Sequence, residues 1–185
     1  MTLPVTSAQT VGPFFRIGMT PLFREEFAAE GVAGERVTIH GRVLDGDGVG
    51  VPDAQLEIWQ ADASGKYFEE EPEGAEEFRG FGRVPTSERG EFRFTTIKPG
   101  CVAGPENSAQ APHLVVLVFM RGLLRHLITR MYFGDEAANS SDPILTLVPQ
   151  ERRGTLIASL ENASSPTYVW NVCLQGDNET AFFDV

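Results

Sequence analysis

The chain has 185 residues, 42% of them hydrophobic, with thirteen phenylalanines and a formal net charge of −11. This length and composition suit one globular domain with a sizeable core, while the charge argues against nucleic acid and anionic membranes as partners, since both would repel it. The longest uncharged apolar run, Leu114 to Met120, is far too short to cross a bilayer, so a soluble, cytoplasmic protein is expected.

Residues 1–20 carry few charges, and Val11-Gly12-Pro13-Phe14-Phe15 is an unfavourable segment to leave in water. Two readings stay open for this arm: it docks on its own domain or it inserts into a partner. Pro21 to Gly31 reads as a short helix ending at the glycine. From Arg36 the pattern changes to short strands and turns. Val37, Ile39 and Val43 alternate with polar or small residues, Asp45-Gly46-Asp47-Gly48 is a turn, and Gln55 to Trp59 alternates again. Ala63-Ser64-Gly65 forms the next turn, residues 69–77 read as a solvated acidic loop, and Ser87 to Gly90 turns into a strand over Glu91 to Ile97. Lys98-Pro99-Gly100 ends that strand, and a loop over 101–112 leads to His113.

Ala111 to Phe133 reads as a β-hairpin of two apolar limbs around a tight Arg121-Gly122 turn, buried on both faces. His113 at its mouth and Arg121 at its turn stand out. A lone histidine opening a buried strand is commonly structural, whereas a guanidinium beside apolar residues needs a partner, either a structural carboxylate or a bound anion. Further on, Asp135 to Pro143 is loop or short helix, Thr155 to Leu160 a strand, Tyr168 to Gln175 an alternating strand, and Thr180 to Val185 a short apolar end. His40 and His126 fall in strand patterns. Cys101 and Cys173 read as reduced packing residues, with neither a disulfide framework nor metal-finger spacing. Short strands with frequent turns and little helix describe an all-β protein, an immunoglobulin-like antiparallel β-sandwich. The expected division is an extended N-terminal arm with a short helix over 1–35, contacting a partner, and the sandwich over 36–185.

No phosphate-binding glycine loop, nucleophile elbow or cysteine–histidine cluster is present. Instead, Trp59-Gln60-Ala61-Asp62 to Lys66-Tyr67, Thr96 to Val102, and Ala111-Pro112-His113-Leu114-Val115 occur in order. Gln9 to Phe15 precedes them and Thr180 to Asp184 follows. This set resembles the intradiol ring-cleavage dioxygenases over nearly the whole chain. Catalytic members of that family hold Fe(III) with two tyrosinates, two histidines and a hydroxide, a hard-oxygen set suited to ferric iron. By the resemblance, Tyr67 matches the first tyrosine and His113 the first histidine, but the second tyrosine falls at Val102 and the second histidine at Val115. The arginine three residues before the first histidine falls at Gln110.

With two ligands of four lost, no metal site and no catalytic residue are expected on this chain. Tyr67 and His113 are relict positions, expected to hydrogen-bond to each other. The resemblance implies a hetero-oligomer in which a homologous beta subunit holds Fe(III) and the chemistry. This chain would then add Thr10, Gly12, Pro13, Phe14 and Arg121 to the pocket of a small aromatic acid that is cleaved with O2, and Arg121 would meet the acid's carboxylate. Phe14 stands where some relatives have tyrosine. Two alternatives are a homomeric intradiol enzyme, which Val102 and Val115 oppose, and a non-enzymatic transthyretin-like binding module.

Overall fold

The computed structural model describes residues 5–67 and 78–184. The acidic stretch 69–77 lies outside the described residues. Eleven strands make up the described fold: β1 (Arg36–Leu44), β2 (Gln55–Trp59), β3 (Phe81–Pro85), β4 (Glu91–Ile97), β5 (Val102–Ala103), β6 (Ala109–Gln110), β7 (His113–Phe119), β8 (Leu127–Phe133), β9 (Ile157–Asn162), β10 (Thr167–Val169) and β11 (Val172–Cys173). Two short α-helices, α1 (Pro13–Met19) and α2 (Gln150–Arg153), and several 3-10 turns complete it.

The alternation in β1 buries Val37, Ile39 and Val43 and turns Arg36 and Arg42 outward, so one face meets the core. β1 pairs antiparallel with β4 along its length. On its other edge it takes β10 and then β11 in parallel, so this layer is mixed rather than wholly antiparallel. The strand expected over Tyr168 to Gln175 breaks at Trp170-Asn171. There the Trp170 carbonyl sits so close to Gly41 that an added Cβ would lie 1.6 Å from it, and the Asn171 side chain accepts from the Arg42 amide at 2.9 Å. The opposing layer runs β3-β2-β7-β8, and a short parallel pairing of β8 with β9 joins the two. Ile39, Val43 and Phe94 from one layer and Leu56, Ile58, Leu114, Val116 and Met131 from the other fill the space between them.

Several expectations need correction. No helix spans Pro21 to Gly31. The helix forms earlier, over Pro13–Met19, where proline suits the first turn. Phe23, Glu26 and Ala28 instead make isolated bridges to Arg83, Thr95 and Phe78. Phe27 lies over Gly82, where a Cβ would come within 2.2 Å of its ring, and stacks on Phe94 at 5.0 Å. Packing against the sheet overrides the helical preference of this stretch. The strand expected over Thr155 to Leu160 starts at Ile157, after a 3-10 turn over Gly154–Leu156.

The β7–β8 hairpin is present, but its pairing begins at Val118↔Leu127, and the connection runs over residues 120–126 rather than closing at Arg121-Gly122. His126 therefore precedes the strand and stacks on Phe119 at 5.2 Å. The hairpin is sealed on one face only: Leu114, Val116 and Val118 are buried, while Val115, Leu117 and Phe119 are half-buried on the other face. Cys101 is exposed rather than packed, because its backbone, not its thiol, is what meets Gly65. Among the described residues no helix is long and apolar enough to cross a membrane.

Candidate functional site

The segments around Trp59 and Lys98 form a clamp. The Asp62 carboxylate accepts from the Ser64 amide (2.8 Å), the Ser64 hydroxyl (2.7 Å) and the Lys66 amide (3.0 Å), closing a turn around Gly65 at φ +82. Burial alone would raise the Asp62 pKa, but these donors and the Lys66 charge hold it below the usual value. Gly100 donates to the Asp62 carbonyl at 2.9 Å, and a Cβ on Gly65 would lie 1.8 Å from the Cys101 carbonyl, so only glycine lets the two segments meet. Beneath them, the buried Gln60 amide donates to the Ile97 carbonyl (2.9 Å) and its oxygen accepts from Thr96 (2.7 Å). Lys98 is tied to Asp135 (3.0 Å) and Glu136 (2.7 Å). Burial disfavours its charge, yet these partners raise its pKa overall. The clamp aims Tyr67 at the mouth of β7.

There Tyr67 and His113 meet as expected, with the Tyr67 hydroxyl 3.5 Å from His113 Nε2, the outer limit of a hydrogen bond. His113 Nδ1 lies 2.7 Å from the Ala111 carbonyl and donates to it, leaving Nε2 as the acceptor toward Tyr67. Both groups are held neutral. Burial raises the Tyr67 pKa, opposed by Arg130, and burial lowers that of His113, helped by Arg130.

Ferric iron does not fit these residues. Val102 lies in β5, Val115 in β7, and a guanidinium acts on both remaining ligand positions. Among the described residues no group of three or more histidine, cysteine, aspartate or glutamate side chains converges.

That guanidinium belongs to Arg130 on β8, directly across from Val115. Its Nη1 donates to Gln110 Oε1 at 2.7 Å and to the Tyr132 hydroxyl at 3.4 Å. Tyr132 in turn donates to the buried Asp142 at 3.1 Å. Asp142 also accepts from the amides of Ala111 (2.7 Å), Ile144 (2.9 Å) and Leu145 (2.7 Å), pinning the 142–148 turn against the start of β7. Sequence reasoning missed Arg130 and Asp142. Arg130 had a readable signal, a lone charge in the apolar limb Leu127 to Phe133; Asp142 had none.

A second cluster forms at the other end of the hairpin. Gly122 donates to Thr10 Oγ1 at 2.8 Å, and Arg121 Nε donates to Asp53, a structural carboxylate that occupies one edge of the guanidinium. Arg16 donates to the carbonyls of Pro52 and Thr86, and Phe15 packs on Phe119 at 5.6 Å. Gly12, Pro13, Asp53 and Arg121 thus line one small hollow of about 270 Å³. Phe14 does not join them: it is 82% exposed, and Ile17 is 64% exposed. The Arg121 side chain remains 59% exposed.

Known proteins agree with this picture of a β-sandwich. The chain is 44% identical to the protocatechuate 3,4-dioxygenase alpha chain of Burkholderia cepacia, with 100% of this chain and 99% of that one covered. It is 33% identical to the beta chain from the same organism over 80% of this chain and 67% of that one. In fold it resembles the dioxygenase domain of a carbohydrate-binding fusion from Streptomyces sp. SirexAA-E, at a TM-score of 0.67, 23% identity and coverage of 86% and 89%. It also resembles 3-chlorocatechol 1,2-dioxygenase of Rhodococcus opacus, at a TM-score of 0.66, 22% identity and coverage of 93% and 68%. The family model described as dioxygenase matches residues 12–176, most of the sandwich together with helix α1, and the chain belongs to that dioxygenase family.

Proposed function

We propose that this chain is the alpha subunit of a protocatechuate 3,4-dioxygenase, working with a homologous beta subunit that holds Fe(III) and all of its ligands. The observation that supports the reading is a contrast within one chain: Val102 and Val115 bring no donor atom to join Tyr67 and His113, while helix α1 and Arg121 present an outward-facing cluster. Near full-length identity to an alpha chain, and weaker identity to a beta chain, support it. The two unpaired cysteines suit the reducing cytoplasm.

The iron on the partner supplies the ring-opening chemistry, in which protocatechuate and O2 give 3-carboxy-cis,cis-muconate with both oxygen atoms retained in the product. This chain's part is to bind and orient. Asp53 holds Arg121 through Nε, which fixes the plane of the guanidinium and leaves its terminal nitrogens for the planar carboxylate of the substrate. Thr10, Gly12 and Pro13 form the neighbouring wall, and the exposed Phe14 and Ile17 bury against the partner. The 1–35 arm thus serves the interface and 36–185 the scaffold, within a higher hetero-oligomer.

Purification of the chain alone and after co-expression with a beta subunit tests this. The lone chain is expected to carry no iron and to consume no O2 with protocatechuate, and the complex to carry iron and turn over. A lone chain retaining about one iron per molecule through chelation would end the proposal.

A further inference from the structure

The half-buried face of the β7–β8 hairpin opens on a cleft of about 610 Å³, within the range of small-molecule sites. Val115, Leu117, Ile128, Leu147 and Phe183 give it an apolar wall, and Arg130 and Arg152 are its charged lining residues. Among the described residues no acidic side chain lines it, on a chain whose net charge is −11. Arg152 is neutralised by Glu179 at 3.1 Å. Arg130 is not: among the described residues its recorded hydrogen bonds run from Nη1 to the neutral Gln110 and Tyr132, and no carboxylate lies within ion-pair distance. Asp142, which Tyr132 links to Arg130, is already saturated by three amides and the Tyr132 hydroxyl. A half-buried guanidinium with unused donors beside an apolar wall is costly unless an anion shares the space.

We propose that this cleft is a binding site, separate from the Arg121 cluster, for a small monocarboxylate with an apolar body, its carboxylate on Arg130 and its body against Val115, Leu117 and Ile128. A carboxylate there replaces water on the guanidinium, while the hydrocarbon covers the face of the hairpin that the core leaves open.

Calorimetric titration of the iron-free full chain with benzoate, and with benzamide as its uncharged counterpart, tests the site without partner or turnover, so its outcome is independent of the heteromer reading. Benzoate is expected to bind the wild type more tightly than benzamide. Arg130→Gln should weaken benzoate by about ten- to a hundredfold and leave benzamide nearly unchanged. Leu147→Glu changes a residue 77% exposed at the mouth, where folding is not at stake, and should weaken benzoate selectively as well. Absence of benzoate binding at millimolar concentration, equal affinity for the two probes, or benzoate binding that neither variant alters would overturn the proposal.

Discussion

The pocket at Tyr67 and His113 and the cluster around Arg121 lie at opposite ends of one hairpin and solve opposite problems. At the first, the polar groups other than Arg130 find their partners within the chain: His113 on Ala111, Tyr132 on Asp142, and Asp142 on the amides of Ala111, Ile144 and Leu145. At the second, apolar side chains are left in water, with Phe14 and Ile17 on a two-turn helix that contributes no buried residue to this chain. A polar pocket enclosed within the chain must satisfy its own groups, because a buried polar atom without a partner is costly. A region that works by joining a partner must stay incomplete.

Breaking the incomplete region should give the largest effect. Deleting residues 1–19 removes Phe14 and Ile17, whose burial against a partner is worth about 3 kcal/mol or more. Affinity for the beta subunit, measured by analytical ultracentrifugation, should fall by about two orders of magnitude. The lone chain should lose far less in thermal stability, having given up chiefly the Arg16 bonds and the Phe15 contact. A truncated chain that assembles normally would make the arm mere packing.

Breaking the self-satisfied region should instead destabilise the chain itself. Asp142→Ala strands the amides of Ala111, Ile144 and Leu145 and the Tyr132 hydroxyl, and should cost about 3 kcal/mol, read as a lower denaturant midpoint at unchanged slope. Assembly should suffer only as far as folding does. This outcome would separate the two regions cleanly, since one variant loses its partner and the other loses its fold.

Arg121 sharpens the comparison within the incomplete region. Arg121→Ala should raise KM for protocatechuate by about ten- to a hundredfold, from the loss of ~1.5–3 kcal/mol, with a smaller effect on kcat. Catechol, which lacks the carboxylate, should be nearly indifferent. Because Asp53 also holds this guanidinium, Asp53→Asn should raise KM in the same direction by a smaller factor, through a less firmly placed fork. Equal losses for protocatechuate and catechol would assign Arg121 to the interface instead of the substrate.

Most of the sandwich was legible because its strands alternate: β1 buries every second residue, β2 and β4 do so except at one end, and the turns between them carry Asp-Gly, Ser-Gly and Arg-Gly signals. β3 was not legible. Phe81-Gly82-Arg83-Val84-Pro85 holds a glycine and a proline, and it is a strand because it pairs with β2, where Arg83 meets Glu57 at 2.7 Å and Phe27 needs the bare Gly82. The 23–28 segment was misread for the same reason, since a remote sheet edge decides its conformation. The relict pair Tyr67 and His113 was legible through motif order, and Arg121 through its odd place at the end of an apolar limb. Asp142 was not, because its four donors come from three separated segments that only the folded chain brings together.

The smallest predicted effect bears on the relict pair itself. The fold keeps His113 neutral: burial lowers its pKa, the adjacent Arg130 lowers it further, and the Ala111 carbonyl and Asp142, which push the other way, do not win. The Tyr67 hydroxyl also faces the ring, and it stays protonated because burial raises its own pKa. In the unfolded chain His113 takes up a proton near its ordinary pKa of 6.5, before the folded chain does. The unfolded state therefore binds more protons just below that pH, so the contribution is complete above 6.5 and is lost as the pH falls toward the folded value. Denaturant unfolding from pH 8 down to pH 5 should show stability falling with a slope of up to one proton from this residue. His113→Gln, which retains a donor for the Ala111 carbonyl, should be less stable at pH 8 and should lose less on acidification, so the two curves converge. Parallel curves would mean that His113 takes up its proton at the same pH in the folded and the unfolded chain, and that the pocket is not the self-satisfied half of the comparison.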